Sequence, residues 1–492
     1  MQFAGRIRAK ILAIATLSLL AAFLSTLPPT TSVRQVQAAP APQTTIGYGI
    51  IANESRYNLV KAMGFNWIKI NLSWKSVEGT KGIIGSWSSY DAAVDTARSN
   101  GFSILMRVDD SPQWASGSTA SNAPPIDDND LANFMYLVAQ HFKGKVQAYE
   151  IWNEPNLSIE WGNQPPDPIK FGRMLKALYP RVKQADPSAI VVTGGVSTTG
   201  DVSSPGAYSD IEYIARLYDP NMDRNPSDGF KGYFDAIGSH PYGGPYPPEQ
   251  DPWSPPNMGT YFRRAWQHHQ MAQEWGLEDV QIWATEFGWL LDPAVDGLSC
   301  DFGSHFNQMK VSEQQQADYL VRAFQYAKAN WPWMGPMFIM SLDTNMDPFR
   351  QQCDEIRFFA ILRPDGSPRQ AYTSLKNNLN LTPVFSLSAT QATFVLAPTD
   401  GDIVTQQISL GNDGGGSITS LTATSSDPSW LTTSLSSTQT PATLTITVNK
   451  AGLSLGWHTG TVTINSSAGA KTITVQLFVG NVQRVYLPSA MR

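Results

Sequence analysis

Cysteine is nearly absent from this chain: its 492 residues hold two, Cys300 and Cys353. Two thiols with no paired histidines near them exclude a zinc ribbon or finger, and they are too few for a disulfide-dense scaffold. Charge is also scarce, at 15% Asp, Glu, Lys and Arg. The balance is acidic, with 35 basic against 41 acidic residues, and no run of Lys or Arg is present to grip a phosphate backbone. Nucleic acid and anionic membranes are therefore excluded as natural partners. Beyond Leu24 no stretch stays apolar for the ~20 residues that a membrane-spanning helix needs.

The long apolar run that does occur is at the front. Ile11 to Leu24 follows Arg6, Arg8 and Lys10, and Val36-Gln37-Ala38 gives a small-x-small pattern before Ala39. This order predicts a signal peptide over residues 1–38 and a secreted or surface-held mature chain, monomeric and without a membrane span. An uncleaved membrane anchor is the alternative for that run. In an oxidising space Cys300 and Cys353 are expected to form a disulfide across neighbouring loops, with two unpaired thiols as the alternative.

From about Thr45 to Leu379 the pattern alternates between strand and helix. Strand-like runs fall at Ile46–Ile51, Trp67–Leu72, Ser103–Val108, Val146–Trp152, Ile190–Thr193, Phe234–His240, Val280–Thr285 and Pro336–Leu342. Helical patterns lie between them. One is the Leu131, Phe134, Met135, Val138, Phe142 stripe behind the capping cluster Asp127-Asp128-Asn129-Asp130. Asp167–Lys183, Tyr261–Glu274, Ser312–Asn330 and Gln370–Asn378 read the same way. Eight successive units predict a (β/α)8 TIM barrel over residues 39–380, with its active site at the C-terminal ends of the strands. Near Leu381 the composition turns to Ser and Thr. Short alternating runs at Ala392–Leu396, Thr405–Leu410, Ser417–Thr424, Ala442–Val448, Gly460–Ile464 and Lys471–Phe478 predict an antiparallel, immunoglobulin-like β-sandwich over 381–480. A tail, 481–492, follows.

Two strings carry the chemistry. Tyr149-Glu150-Ile151-Trp152-Asn153-Glu154-Pro155-Asn156 and Ile282-Trp283-Ala284-Thr285-Glu286-Phe287-Gly288 each bring a glutamate to the C-terminal end of an apolar strand. Taken singly, Glu154 is equally well a turn-capping residue, and Glu286, with the weaker local motif, reads first as a salt-bridge partner. Taken together, on the fourth and seventh of eight strands, they are the carboxyl pair that glycosidic cleavage requires.

Trp152-Asn153-Glu154-Pro155-Asn156, paired with Glu286, resembles clan A of the glycoside hydrolases across the whole barrel. The resemblance implies a retaining β-glycosidase: Glu154 is acid/base, Glu286 is nucleophile, Asn153 holds the sugar 2-hydroxyl, and no cofactor or metal takes part. The substrate is a β-linked poly- or oligosaccharide. The longer Glu150–Leu157 string, and Ala185-Asp186-Pro187 leading into Val192-Thr193-Gly194-Gly195, are similar to family 39 and its polysaccharide-cleaving relatives, with family 5 as competitor. His240-Pro241-Tyr242 matches the clan's His-x-Tyr, in which the tyrosine hydroxyl bonds the nucleophile. Pro112-Gln113-Trp114-Ala115 resembles a cleft-lining Pro-x-Trp-Ala.

Two departures stand out. Lys69 fills the slot where the clan commonly has arginine, and the eighth strand reads Met340-Ser341-Leu342-Asp343 where the clan commonly ends on tryptophan. Trp289 is the candidate replacement platform. Trp74, Trp114, Trp161 and Trp253 are further candidates for the sugar-binding rim, whereas Trp67, Trp266 and Trp283 are expected in the core. In the C-terminal part, Asp427-Pro428-Ser429-Trp430-Leu431 with Gly460–Ile464 resembles the BACON domains of bacterial carbohydrate-active enzymes; Trp430 is expected in its core, and the lack of evident exposed aromatics suggests a spacer. A non-catalytic glycan-binding surface protein and a transglycosylase using the same residues are the alternatives in function.

Overall fold

The computed structural model describes residues 46–480 apart from 201–203, 205, 224–228, 253–258, 278, 344–351 and 380. The predicted signal peptide and tail lie outside the described residues. Eight parallel strands close into a barrel: β1 Tyr48–Ile51, β2 Trp67–Ser73, β3 Ser103–Asp109, β4 Ala148–Ile151, β5 Ile190–Thr193, β6 Ala236–His240, β7 Gln281–Phe287 and β8 Met334–Ile339. Each pairs with its neighbour in sequence; β1 pairs with β8, and β5 meets β6 through Val192 and Ala236. A two-residue strand, Val196–Ser197, lies beside the end of β6.

Strand periodicity explains where the chemistry sits. Side chains alternate between the two faces of a strand, so residues two apart share a face. One cluster of buried residues takes one residue from each of β2 to β8: Trp67, Leu105, Ala148, Val192, Ala236, Trp283 and Phe338. Trp67 and Trp283 meet edge to face at 5.4 Å there and plug the barrel. Two residues further along each strand come Lys69, Arg107, Glu150, Gly194, Gly238, Thr285 and Met340. A packed apolar layer thus carries directly above it a layer holding three charges and two glycines. These glycines admit close backbone: a Cβ on Gly194 would lie 2.6 Å from Ile151 O and one on Gly238 2.3 Å from Thr193 O, and a Cβ on the next residue, Gly195, would lie 2.3 Å from His240 Cδ2.

The outer helices bury their apolar stripes against the strands in the main core. Their starts follow the sequence signals. Asp127 accepts from the Asn129 amide ahead of helix Asp128–His141, Asp167 accepts from Ile169 and Lys170 ahead of Pro168–Ala185, and Ser312 forms a capping box with Gln315 ahead of Glu313–Asn330. Among the described residues no helix is long and apolar enough to cross a membrane.

The C-terminal part holds two four-stranded sheets around one apolar core. Its strands are β9 Phe385–Leu387, β10 Gln391–Leu396, β11 Ile403–Asn412, β12 Thr422–Ser425, β13 Leu431–Leu435, β14 Ala442–Asn449, β15 Gly456–Ser466 and β16 Gly469–Val479. The sheet orders are β9-β11-β14-β13 and β10-β16-β15-β12. The sandwich is not wholly antiparallel, because β10 and β16 run parallel; alternation of polar and apolar residues gives a strand's faces but not its direction. Trp430 is buried in this core, while Trp457 is 60% exposed beside Phe478, so an exposed aromatic does occur here.

The sheets dock on the barrel's N-terminal end. Asn66 Nδ2 donates to the Asn412 and Gly414 carbonyls at 2.5 and 2.6 Å, Gly416 N donates to Gly64 O, and Gln439 Nε2 reaches the Arg98 and Ser99 carbonyls. All four barrel residues precede β2 or β3. The sandwich therefore sits at the end opposite the mouth formed by the strands' C-terminal ends.

Candidate active site

A cavity of about 750 Å³ opens at that mouth, and Lys69, Arg107, Asn153, Glu154, Tyr242 and Glu286 are among the residues lining it. The chain turns sharply to bring Glu154 there. Trp152 and Glu154 hold φ of 75° and 37°, the left-handed region that non-glycine residues avoid. Neighbouring groups over-determine this conformation. Trp152 is fully buried and its Nε1 donates to Glu160 O at 2.8 Å. Glu154 N donates to Gly195 O, and Asn156 is bonded through both amide atoms to the backbone of Ser197. Strain held in this way at a functional turn positions a side chain more firmly than a relaxed loop does.

Glu286, near the end of β7, is held by four groups. Tyr242 donates its hydroxyl proton to Oε2 at 2.9 Å. Lys69 Nζ lies 3.0 Å and Arg107 Nη1 3.3 Å from Oε1, and His240 Nδ1 lies 3.8 Å from Oε2. The same His240 nitrogen is 2.9 Å from Glu154 Oε1. Lys69 also bridges to Glu150 Oε2 at 2.7 Å, and Arg107 Nη1 donates to Asn153 Oδ1 at 2.7 Å while its Nε faces Asp109 at 2.9 Å. Lys69 and Arg107 thus stand among Glu150, Glu286 and Asp109, with His240 between Glu154 and Glu286.

The electrostatics follow from this packing. Burial opposes charge on Glu286, but Lys69, His240 and Arg107 override it and hold the carboxyl far below the usual carboxylate range. Glu150 is likewise buried, yet Lys69 and His240 bring it down to about 2. Burial disfavours the His240 cation, but Glu286, Glu150 and Glu154 raise its pKa to about 9. Burial, and then Glu286, push the Tyr242 hydroxyl well up, so it remains a donor.

Linkage fixes the sign of the pH dependence of stability. The lowered Glu150 contributes stability present above its unfolded value of 4.5 and lost as pH falls toward about 2. The raised His240 contributes stability present below 6.5 and lost as pH rises through about 9. Denaturant midpoints should therefore be highest between these limits and fall on both sides. A His240→Gln variant should lose much of the alkaline fall; an alkaline fall unchanged in that variant would contradict the assignment.

The aromatic candidates fare differently. Trp74 and Trp289 are fully buried, not rim platforms. Trp74 stacks on Phe134 and donates to Glu78, and Trp289 donates to Tyr246 O with Gly243 packed against its indole. Trp161 is buried against Trp152. Trp114 is half-buried, donates to Glu78 O and lies under Lys81, and it does not line the cavity. Trp253 lies outside the described residues. For Trp74 and Trp289 the physical reason is shared: an indole just past a strand end satisfies its single donor within the loops, on the Glu78 carboxylate and on Tyr246 O respectively, and buries its rings beneath them. Cys300 and Cys353 form a disulfide.

Two important residues were not singled out from the sequence, Arg107 and Glu150. Their signal was present: each is a charge inside an otherwise apolar strand, and they are register partners across β3 and β4. Arg107 supplies from β3 the guanidinium that Lys69 does not supply from β2.

The family model that matches this chain is Cellulase (glycosyl hydrolase family 5), over residues 33–334. The match is to family 5 rather than to the family 39 suggested by the Glu150–Leu157 string. Similar solved structures include a family 39 glycoside hydrolase from Bacteroides cellulosilyticus WH2, 18% identical with a TM-score of 0.51, the alignment covering 84% of this chain and 82% of that one. A glucosidase from Croceicoccus marinus is 12% identical with a TM-score of 0.48 over 82% and 96%. A tri-modular family 5 (subfamily 4) endo-β-1,4-glucanase from Bacillus licheniformis is 12% identical with a TM-score of 0.40 over 89% and 79%. At 18% identity the first of these speaks to the fold alone. No curated protein matches the chain. With the family model spanning most of the barrel, the chain belongs to glycosyl hydrolase family 5 and is a retaining glycoside hydrolase.

Proposed function

We propose that the protein is a secreted β-glycosidase acting on a poly- or oligosaccharide by double displacement, with Glu286 as nucleophile and Glu154 as acid/base. The observation that carries this reading is the His240 imidazole standing 2.9 Å from Glu154 and 3.8 Å from Glu286. The facing carboxylate oxygens lie no farther apart than those two distances together. That favours the ~5–5.5 Å spacing of a retaining pair over the roughly 6.5–9.5 Å of an inverting one.

Glu286, ionised and oriented by Tyr242, Lys69 and Arg107, attacks the anomeric carbon. The bond to the leaving oxygen breaks as Glu154 transfers its proton to that oxygen, giving a glycosyl ester on Glu286. Glu154, now ionised, takes a proton from water; the water oxygen attacks the anomeric carbon and frees Glu286. Two inversions give net retention. Asn153, fixed through its Oδ1 by Arg107, is placed to hold the sugar 2-hydroxyl. The basic-then-apolar opening and the Cys300–Cys353 disulfide support export to an oxidising space. The test is product analysis on a panel of β-linked glucan, xylan and mannan, reading anomeric configuration by proton NMR as product first forms. The β-anomer should appear first; initial α-product, or cleavage of none of them, would contradict the reading.

A further inference from the structure

On the Glu286 side of the cavity lies a small apolar cluster separate from the barrel core. Leu290, Leu291, Cys300, Met309, Phe358 and Phe359 form it, with Tyr242, Phe306 and Met340 packed against them. These residues follow the ends of β6, β7 and β8, and the Cys300–Cys353 disulfide joins the two longer loops. Backbone bonds brace it: Leu291 N donates to Phe358 O at 2.9 Å and Lys310 Nζ to Cys300 O at 3.1 Å. Phe306, Met309, Met340 and Phe359 also line the cavity, and none of its described lining residues is tryptophan. The cluster is therefore a wall with an apolar face turned toward the cavity.

Its position identifies the sugar it meets. Phe359 packs on Tyr242 with ring centroids 5.1 Å apart, and Tyr242 bonds Glu286. Leu157, Ile159 and Glu160 line the cavity on the loop that carries Glu154. On the proposed roles of the two glutamates, the wall is on the side of the ring that would bond to Glu286, and the Glu154 loop is on the side of the leaving group. Glu54, Asp343 and Glu355 also line the cavity, a poor setting for an anionic sugar.

We propose that this disulfide-clamped wall is the platform for the retained sugar, taking the C–H face of an uncharged ring on Phe306, Met309, Met340 and Phe359 in place of a tryptophan. Flat aromatic and soft thioether surfaces suit such a face. The proposal rests on Glu286 being the nucleophile. Phe306 acts as a specificity residue through its contact with the ring, and Phe359, besides offering its edge of the wall, positions Tyr242.

The test is steady-state kinetics of the full chain on p-nitrophenyl β-glucoside, β-xyloside, β-mannoside and β-glucuronide. Phe306→Ala should raise KM about tenfold on the best neutral glycoside with kcat within about threefold, and Phe306→Leu should fall between. Phe359→Ala should lower kcat more than it raises KM. Cys300→Ser/Cys353→Ser, and the unmodified enzyme in reductant, should show the Phe306→Ala pattern, and the glucuronide should be the poorest substrate. Unchanged KM in Phe306→Ala, Phe306→Leu and the double serine variant overturns the wall, as does glucuronide preference. Loss of hydrolysis in Glu286→Gln alongside that result spares the catalytic reading; hydrolysis surviving in Glu286→Gln overturns both.

Discussion

Replacing Glu286 with alanine is expected to lower kcat by about 10⁴-fold or more, roughly 5.5 kcal/mol of barrier, with a much smaller change in KM. The size follows from what the residue does. If Glu286 is the covalent nucleophile, its removal removes the pathway itself, whereas Asn153, still fixed by Arg107, keeps its place for the sugar 2-hydroxyl. The deletion also leaves a small space beside Lys69 and Arg107, two cations that lose a partner. A small anion such as azide should enter it and restore turnover, and its product should carry inverted configuration because only one displacement has occurred. Measuring kcat and KM with and without azide checks both parts. A loss below about 100-fold, or rescue with retained configuration, would show that another group attacks the sugar.

The second large effect is expected at Lys69. Its ammonium is buried and within 3.0 Å of both Glu150 and Glu286. Lys69→Met removes the strongest attraction acting on each carboxylate and leaves both in a medium that disfavours charge. Breaking a buried pair from one side costs about 3–5 kcal/mol. The remaining cations, Arg107 and His240, then serve Glu286 and Glu150 alone, so the nucleophile takes up a proton more readily. Denaturant unfolding should show the stability loss, and the acid limb of kcat/KM should move up by about one pH unit or more. Lys69→Arg is a separate case: the charge persists, but a rigid fork replaces a point charge that now contacts Thr285 O, Glu150 and Glu286 together. Unchanged stability together with an unchanged acid limb in Lys69→Met would remove Lys69 from the positioning of the nucleophile.

The parts legible in the sequence were those written in a local period. Eight apolar runs at strand length gave the barrel, and their ends gave the positions of Glu154 and Glu286, because a barrel strand's C-terminal end is fixed once the strand is found. Tyr242, two residues past β6, was legible only through the resemblance of His240-Pro241-Tyr242 to the clan's His-x-Tyr. Arg107 and Glu150 were missed because a charge inside a strand gains meaning only from its partner on the neighbouring strand, and register is set by closure of the whole barrel. The tryptophans misled for a related reason: position past a strand end does not tell whether an indole faces the cavity or the underside of a loop. Trp74 and Trp289 turn inward, onto the Glu78 carboxylate and Tyr246 O, and on the wall beside Glu286 the apolar surface facing the cavity comes from Phe306, Met309, Met340 and Phe359, none of which was a candidate. The β9 strand escaped notice because three residues are too few for alternation to show, and β13 because Leu431-Thr432-Thr433-Ser434-Leu435 buries only its first residue.

The most direct test of the central claim is to trap the covalent intermediate. A 2-deoxy-2-fluoro β-glycoside with a good leaving group slows both displacements but the second more, so the glycosyl ester accumulates. Intact-mass measurement followed by peptide mapping should find one added glycosyl group, located on Glu286. A label on Glu154 or elsewhere, or continued turnover of the same sugar series with no label at all, would contradict the assignment.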